Sequence, residues 1–388
     1  MKRYIILIAA VVMQMCFGSI YAWSIFATQL QRHHGLTAYE TSMVFSVCIL
    51  VFTAVVLATG RVQDRFGPRW VATAGGAMHG AAYLLAGLSG GSYGMLLLCI
   101  GVLNGVGIAC GYVCAVATPV KWFPQHKGLV AGLAAAGYGG SAVVFAPVLK
   151  AALRVWPVLT VLRGMGVCCG VLAVTCGLLL TTPGAARGAV ASLRLGGVLR
   201  DRQFWRLMLA FFCSTMGGLM IIPNLERIGL SFGRNETIAA GAIVALALGN
   251  ASGRILWGFV YDGLGGARVI LASLVANLIA LLVFQGAGAS AVMFLAGAGL
   301  VGFCYGGCFA LYAPRVAELY GVEHLGAVYS MLLLAHGLSG PCGARLNKWL
   351  LEMSGSYRSG LLVVAGVLVI GLGIYVALGR RGAGGVAA

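Results

Sequence analysis

The stretch GNASGRILWGF (249–259) sets an arginine, Arg254, inside an apolar run that begins with TIAAGAIVALAL (237–248). A guanidinium at the centre of a membrane helix costs about 2.5–3.5 kcal/mol even on lenient insertion scales, so something must offset it. Arg254 lies eight residues before Asp262, about 12 Å along a helix axis at 1.5 Å per residue. That is farther than an arginine side chain reaches by snorkelling. Asn250 sits one turn earlier on the same helical face, where it could orient the guanidinium or a ligand, or bridge to a neighbouring helix. His336, in LLAHGLSG (333–340), is a second basic group expected at mid-membrane depth, and His79 a third. The planar guanidinium fork matches a carboxylate through two parallel hydrogen bonds. A histidine exchanges its proton near neutral pH, so binding an anion beside it can draw in a proton. None of the nine acidic residues (Glu40, Asp64, Asp201, Glu226, Glu236, Asp262, Glu318, Glu323, Glu352) falls near the middle of a predicted span. A carboxylate proton relay is therefore not expected, and a small organic anion is the expected counter-charge for Arg254.

The elements that must hold these groups are membrane helices. The chain is 60% hydrophobic and 9% charged, with a mean hydropathy of +0.96, against roughly 25% charged residues in soluble domains. About twelve windows, from 4–26 to 359–379, reach the length of about 20 apolar residues that a span requires. All should be helical, because a helix satisfies its own backbone in lipid. The longest polar gap, 182–203, reads as a cytoplasmic linker between an N-terminal six-helix bundle (1–181) and a C-terminal one (204–388). The net charge of +17 comes from lysines and arginines in short loops. Sixteen of them fall on the side of the N-terminus and nine on the other, with Arg254 completing the 26. That bias places both termini in the cytoplasm of a multi-pass protein. Nucleic-acid binding is not indicated. The 12 cysteines show no metal-ligand spacing and read as small buried hydrophobes, so neither metal nor cofactor is expected. A monomer is expected. No nucleophile with its base and no acidic pair argues for an enzyme.

The chain repeats itself. GRVQDRFGPR (60–69) and GFVYDGLGGAR (258–268) share glycine, then aspartate four later, then glycine three after that, at an offset of 198 residues. The same offset relates Gly128 to Gly326. Parallel six-helix repeats mark one class of carrier, with its site near the membrane midplane. The repeated loop resembles the cytoplasmic signature of the major facilitator superfamily. Its first copy is nearly complete in Gly60, Asp64, Arg65, Gly67 and Arg69, whereas its second has Gly263 where an arginine would stand. GSIYAWSIF (18–26), VKWFPQHKGLVAGLAAAGYG (120–139), GRILWGFVYD (253–262) and AVYSMLLLAHGLSG (327–340) look like the oxalate/formate antiporter family and its monocarboxylate-transporter relatives.

The resemblance implies an all-α integral membrane fold of twelve helices in two pseudo-symmetric bundles, in a bacterial cytoplasmic membrane. It implies a cavity lined by spans 1, 4, 7 and 10, which carry Tyr21, Tyr112 and Tyr305. Tyr138 is the repeat counterpart of His336. Asp64, Arg65, Arg69 and Asp262 would gate the carrier by capping helices and pairing with nearby arginines. At His336 the antiporters carry a lysine. Two permanent charges suit a dicarboxylate, whereas one permanent and one titrating charge suit a monocarboxylate taken up with a proton. The expectation is a proton-coupled carrier of lactate-, formate- or acetate-like acids working by alternating access. The alternatives are oxalate:formate-type exchange and, more remotely, a membrane sensor that does not transport.

Overall fold

The computed structural model describes residues 2–183 and 195–380, and the central part of the expected linker lies outside them. Twelve long helices account for most of the described residues: α1 (Lys2–His34), α2 (Ala38–Phe66), α3 (Pro68–Ala86), α4 (Tyr93–Trp122), α5 (Lys127–Ala152), α6 (Val158–Leu179), α7 (Arg202–Ile221), α8 (Glu236–Leu264), α9 (Gly266–Gln285), α10 (Ala291–Tyr320), α11 (Leu325–Ser354) and α12 (Tyr357–Arg380). No strand occurs among the described residues. Eleven of the twelve are long and apolar enough to cross a membrane. The exception, α3, forms as expected, but Arg69, His79 and its glycines dilute its hydropathy.

The repeat read from the sequence is a structural repeat held in register. α2 and α8 each run 29 residues, and their first residues lie 198 apart. Each opens on a polar cap that satisfies a backbone N–H the helix leaves unbonded. Thr37 Oγ1 accepts from Glu40 N (3.1 Å) while Glu40 Oε2 accepts from Thr37 N (2.8 Å). At the equivalent place Asn235 Oδ1 accepts from Ile238 N (2.9 Å). Each helix ends on the second glycine of its loop motif, Gly67 at φ 83° and Gly265 at φ 82°. That conformation disfavours a side chain and explains the glycine.

Two helices depart from regularity. α1 passes through a tight 3-10 turn at Ser19–Ala22, and α4 widens into a π-helical stretch at Leu97–Leu103. Neither irregularity is legible in the apolar pattern. Pro119, Pro147, Pro314 and Pro341 all lie inside helices.

The chain forms two compact units. The first comprises Met1–Val190 with Val316–Met331, and the second Ala191–Arg315 with Leu332–Ala388. In the first, glycines bring backbones together. A Cβ on Gly76 or Gly80 of α3 would collide with α6, and one on Gly75 with α4. In the second, α8 and α10 meet the same way. A Cβ on Gly249 or Gly253 of α8, or on Gly302 or Gly306 of α10, would strike backbone carbonyls of the facing helix. Close approach through small residues is how membrane helices pack without a hydrophobic driving force.

Candidate functional site: a buried arginine on an aromatic platform

The glycine seam of the second unit fixes the arginine. α8 and α10 touch along Gly249, Gly253, Gly302 and Gly306, which sets Arg254 against the residues of α10. The Arg254 side chain is 0% exposed and is the largest fully buried side chain of the described residues. Its Nε donates to Asn250 Oδ1 at 2.9 Å, a same-face, one-turn pairing and one of the roles the sequence left open for Asn250. Its guanidinium carbon lies 4.6 Å from the centre of the Phe309 ring. A cation over an aromatic face is attracted by the ring quadrupole, and more so once water is excluded. The snorkelling alternative is thus removed, since Arg254 stays inside its unit.

His336 shares that platform. Its ring meets Phe309 edge-on at 5.0 Å, lies nearly parallel to Phe211 at 6.4 Å and is 6.3 Å from Tyr305. The ring is partly exposed, but its Nδ1 is buried and makes no hydrogen bond among the described residues. The turn that carries His336 is anchored below it. Ser339 Oγ bonds the His336 carbonyl at 2.8 Å and lies 2.8 Å from Thr215 Oγ1. Tyr305 packs on Phe309 at 5.4 Å, and its ring fills the space a side chain on Gly218 of α7 would need. Arg254, Asn250, His336 and Tyr305 therefore come together in one unit, around a residue that sequence reading did not single out. Phe309 had no signal of its own, because one phenylalanine in an apolar helix looks like any other.

The first unit gathers the remaining tyrosines. Tyr138 meets Tyr21 at 5.2 Å and Tyr112 at 5.3 Å, both edge-on, and Tyr112 meets Phe52 at 5.6 Å. Tyr112 and Tyr138 are buried and Tyr21 is half-buried. His79, which the sequence sets at mid-membrane depth, has a partner: its Nδ1 lies 2.7 Å from Asn104 Oδ1. Trp23 donates from Nε1 to the Thr41 carbonyl at 2.8 Å, and Trp257 packs on Phe303.

The loop motif of the first half is differently wired from the expectation. Asp64 pairs with Lys121 at 3.6 Å, both side chains only 6% exposed, and its Oδ2 accepts from Ala327 N at 2.7 Å. Ala327 is in the first turn of α11, where backbone N–H groups have no partner within the helix and the dipole favours an anion. Gly60 allows the approach, because a Cβ there would collide with the Gly326 carbonyl and Ser330 Oγ. Arg65 and Arg69 are exposed and stack on their neighbours Phe66 and Trp70 at 5.3 and 5.5 Å. Lys121, from the KWFP stretch, takes the role expected of them. Asp262 is half-buried at the equivalent place in the second unit.

Comparison with known proteins bears on the whole chain. The family model described as the Major Facilitator Superfamily matches residues 6–233 and 207–385. An oxalate:formate antiporter of Oxalobacter formigenes is 27% identical over 354 residues, covering 89% of this chain and 84% of that protein. Monocarboxylate transporter 13 of Rattus norvegicus is 25% identical over 377 residues, covering 93% and 85%. Among solved structures, the Escherichia coli fucose:proton symporter aligns with a TM-score of 0.73 at 13% identity, over 97% of this chain and 99% of that one.

Proposed function

This chain belongs to the Major Facilitator Superfamily, and on that premise we propose that it carries small organic monocarboxylates across the membrane together with a proton. The observation that carries the reading is the fully buried Arg254, held by Asn250 and seated on Phe309 beside His336. Low-dielectric surroundings strengthen the attraction between a guanidinium and a carboxylate, and the planar fork fixes how the acid is held. The imidazole supplies the proton coupling. An arriving negative charge favours protonation of His336, and release of the acid returns the proton, so one anion and one proton move together. Tyr305 closes the site with a hydroxyl at its aromatic edge. Tyr21, Tyr112 and Tyr138 offer the substrate further phenol groups. Asp64, braced by Lys121, latches the first turn of α11 and must let go for the carrier to turn over. The two curated relatives, one an oxalate:formate antiporter and the other a monocarboxylate transporter, support the substrate class.

The second reading, exchange of oxalate for formate, is favoured by the similarity to the antiporter and opposed by a histidine where that family carries lysine. Counterflow of labelled lactate, formate and oxalate into proteoliposomes, with and without an imposed pH gradient, separates the two. Lactate uptake driven by the gradient supports symport. Oxalate–formate exchange indifferent to the gradient overturns it.

A further inference from the structure

The first unit has a cavity at the end of α2 remote from Asp64, and the proposed transport reaction does not use it. It measures about 380 Å³, and Gln29, His33, His34, Arg154 and Trp156 contribute to its wall. Two of these residues are histidines. The structure makes them the last turn of the Trp23–His34 helix, so they project from a rigid element. His34 is held against the wall by Gly91, at φ 85°, where any side chain would run into the imidazole. The run of α2 from Ala38 to Asp64 separates this end from Asp64 by about 39 Å at 1.5 Å per residue, which sets the cavity at the depth of a lipid headgroup.

The second unit has a matching cavity of about 440 Å³. Ser231, Phe232, Gly355 and Ser356 line it, each 198 residues after His33, His34, Pro157 and Val158 of the first. The crevice itself is therefore part of the repeated architecture. Its lining is not repeated: serine and phenylalanine stand where the first cavity has two histidines. Among the described residues that line the second cavity, the one cation, Arg358, stacks over Phe232 at 5.4 Å. Arg154 is exposed at the rim of the first. The acid nearest in sequence, Glu40, is engaged in its capping box with Thr37. No acidic residue among the described residues lines the cavity. Beside Arg154, Val155 and Trp156 are 71% and 58% exposed, an apolar shelf of the kind that lies among acyl chains at a membrane interface.

We propose that the cavity walled by His33, His34 and Arg154 binds a phosphate oxyanion, supplied by the headgroup of an anionic phospholipid whose chains lie over Val155 and Trp156. Imidazole and guanidinium donors suit the phosphate oxygens, and a basic cluster at this depth draws anionic lipid.

The test is thermal unfolding of the full-length chain in detergent with added dihexanoyl-phosphatidylglycerol, dihexanoyl-phosphatidylcholine or inorganic phosphate. A ligand that binds only the folded chain raises the midpoint. Phosphatidylglycerol should raise it by about 3 °C, and phosphatidylcholine by clearly less. The shift should vanish in the His34→Ala/Arg154→Ala double variant and persist in Arg358→Ala, which changes only the second cavity. If the double variant does not fold, Arg154→Gln, at an exposed position, should lose at least half of the shift. An equal shift with inorganic phosphate keeps the oxyanion site and overturns the lipid as its source. No shift with phosphatidylglycerol, or one that survives in the double variant, overturns the site.

Discussion

The two units carry one helical scaffold and two different chemistries. Phe52, Val56 and Tyr138 of the first stand 198 residues before Asn250, Arg254 and His336 of the second. At equivalent places the first unit therefore has two aromatic rings and a fully buried valine, and the second has an amide, a guanidinium and an imidazole. The first unit's rings pack on one another through Tyr112 and Tyr138. The second unit's polar groups converge on one ring, Phe309. Charge in a membrane interior is costly, and concentrating it in one half leaves the other half free to supply neutral hydroxyls. The difference teaches that the repeat fixes where side chains are presented, while each half decides what it presents.

The largest effect should follow from erasing the contrast at its strongest point. Arg254→Ala gives the second unit the apolar character of Val56. Losing a buried charge-assisted pair costs about 2–5 kcal/mol, so uptake into proteoliposomes should fall by about two orders of magnitude or more while the variant still elutes as a folded protein. Near-normal uptake would remove the arginine from the site. Arg254→Lys should also fail, because an ammonium cannot reproduce the two-pronged fit.

His336 tests which half of the contrast concerns the proton. His336→Gln keeps a polar group and abolishes titration. Accumulation driven by a pH gradient should disappear while counterflow between equal concentrations continues. A full response to the gradient would assign the proton to another residue. His336→Lys installs a second permanent charge, and competition assays should then show preference moving from lactate towards oxalate.

Much of this arrangement is legible in the sequence, because its causes are periodic or local. The 198-residue offset, the glycine and aspartate of each loop and the polar caps at Thr37 and Asn235 recur along the chain, and α2 and α8 obey them residue for residue. Arg254 and Asn250 are legible because one helical turn separates them. Phe309 beneath Arg254, Lys121 beside Asp64 and Asn104 beside His79 are not. Each of those contacts joins two helices, and which residues meet depends on how glycine contacts rotate one helix against another. No spacing along a single helix encodes that rotation. The expectation that Asp64 would find an arginine failed for the same reason: Arg65 and Arg69 are near in sequence, but their helix faces turn them outward onto Phe66 and Trp70.

A smaller effect is expected at Asn250. Its Oδ1 holds Arg254 Nε at 2.9 Å, so Asn250→Ala frees the guanidinium to rotate without removing its charge. A hydrogen bond to a charged group contributes about 1.5–3 kcal/mol, part of which a water molecule can replace. The affinity for the acid should weaken about tenfold, with a smaller change in maximal rate, read from concentration-dependent uptake. An equal loss in Asn250→Ala and Arg254→Ala would mean that orientation, rather than charge, governs binding.

The smallest effect belongs to the first unit and bears on what its neutral rings are for. Tyr138→Phe and Tyr112→Phe remove one hydroxyl each and preserve the edge-on packing at 5.3 Å. If the rings serve packing alone, both variants transport as the parent does, and Tyr138→Ala, which opens a cavity, is the damaging change. If the hydroxyls hold the substrate, Tyr138→Phe loses one neutral hydrogen bond, about 0.5–1.5 kcal/mol. The resulting two- to tenfold loss should be greater for lactate, which carries a hydroxyl, than for acetate, which does not. The lactate-to-acetate ratio is therefore the sharper measurement, because a packing defect lowers both rates together, whereas a lost hydroxyl contact changes their ratio.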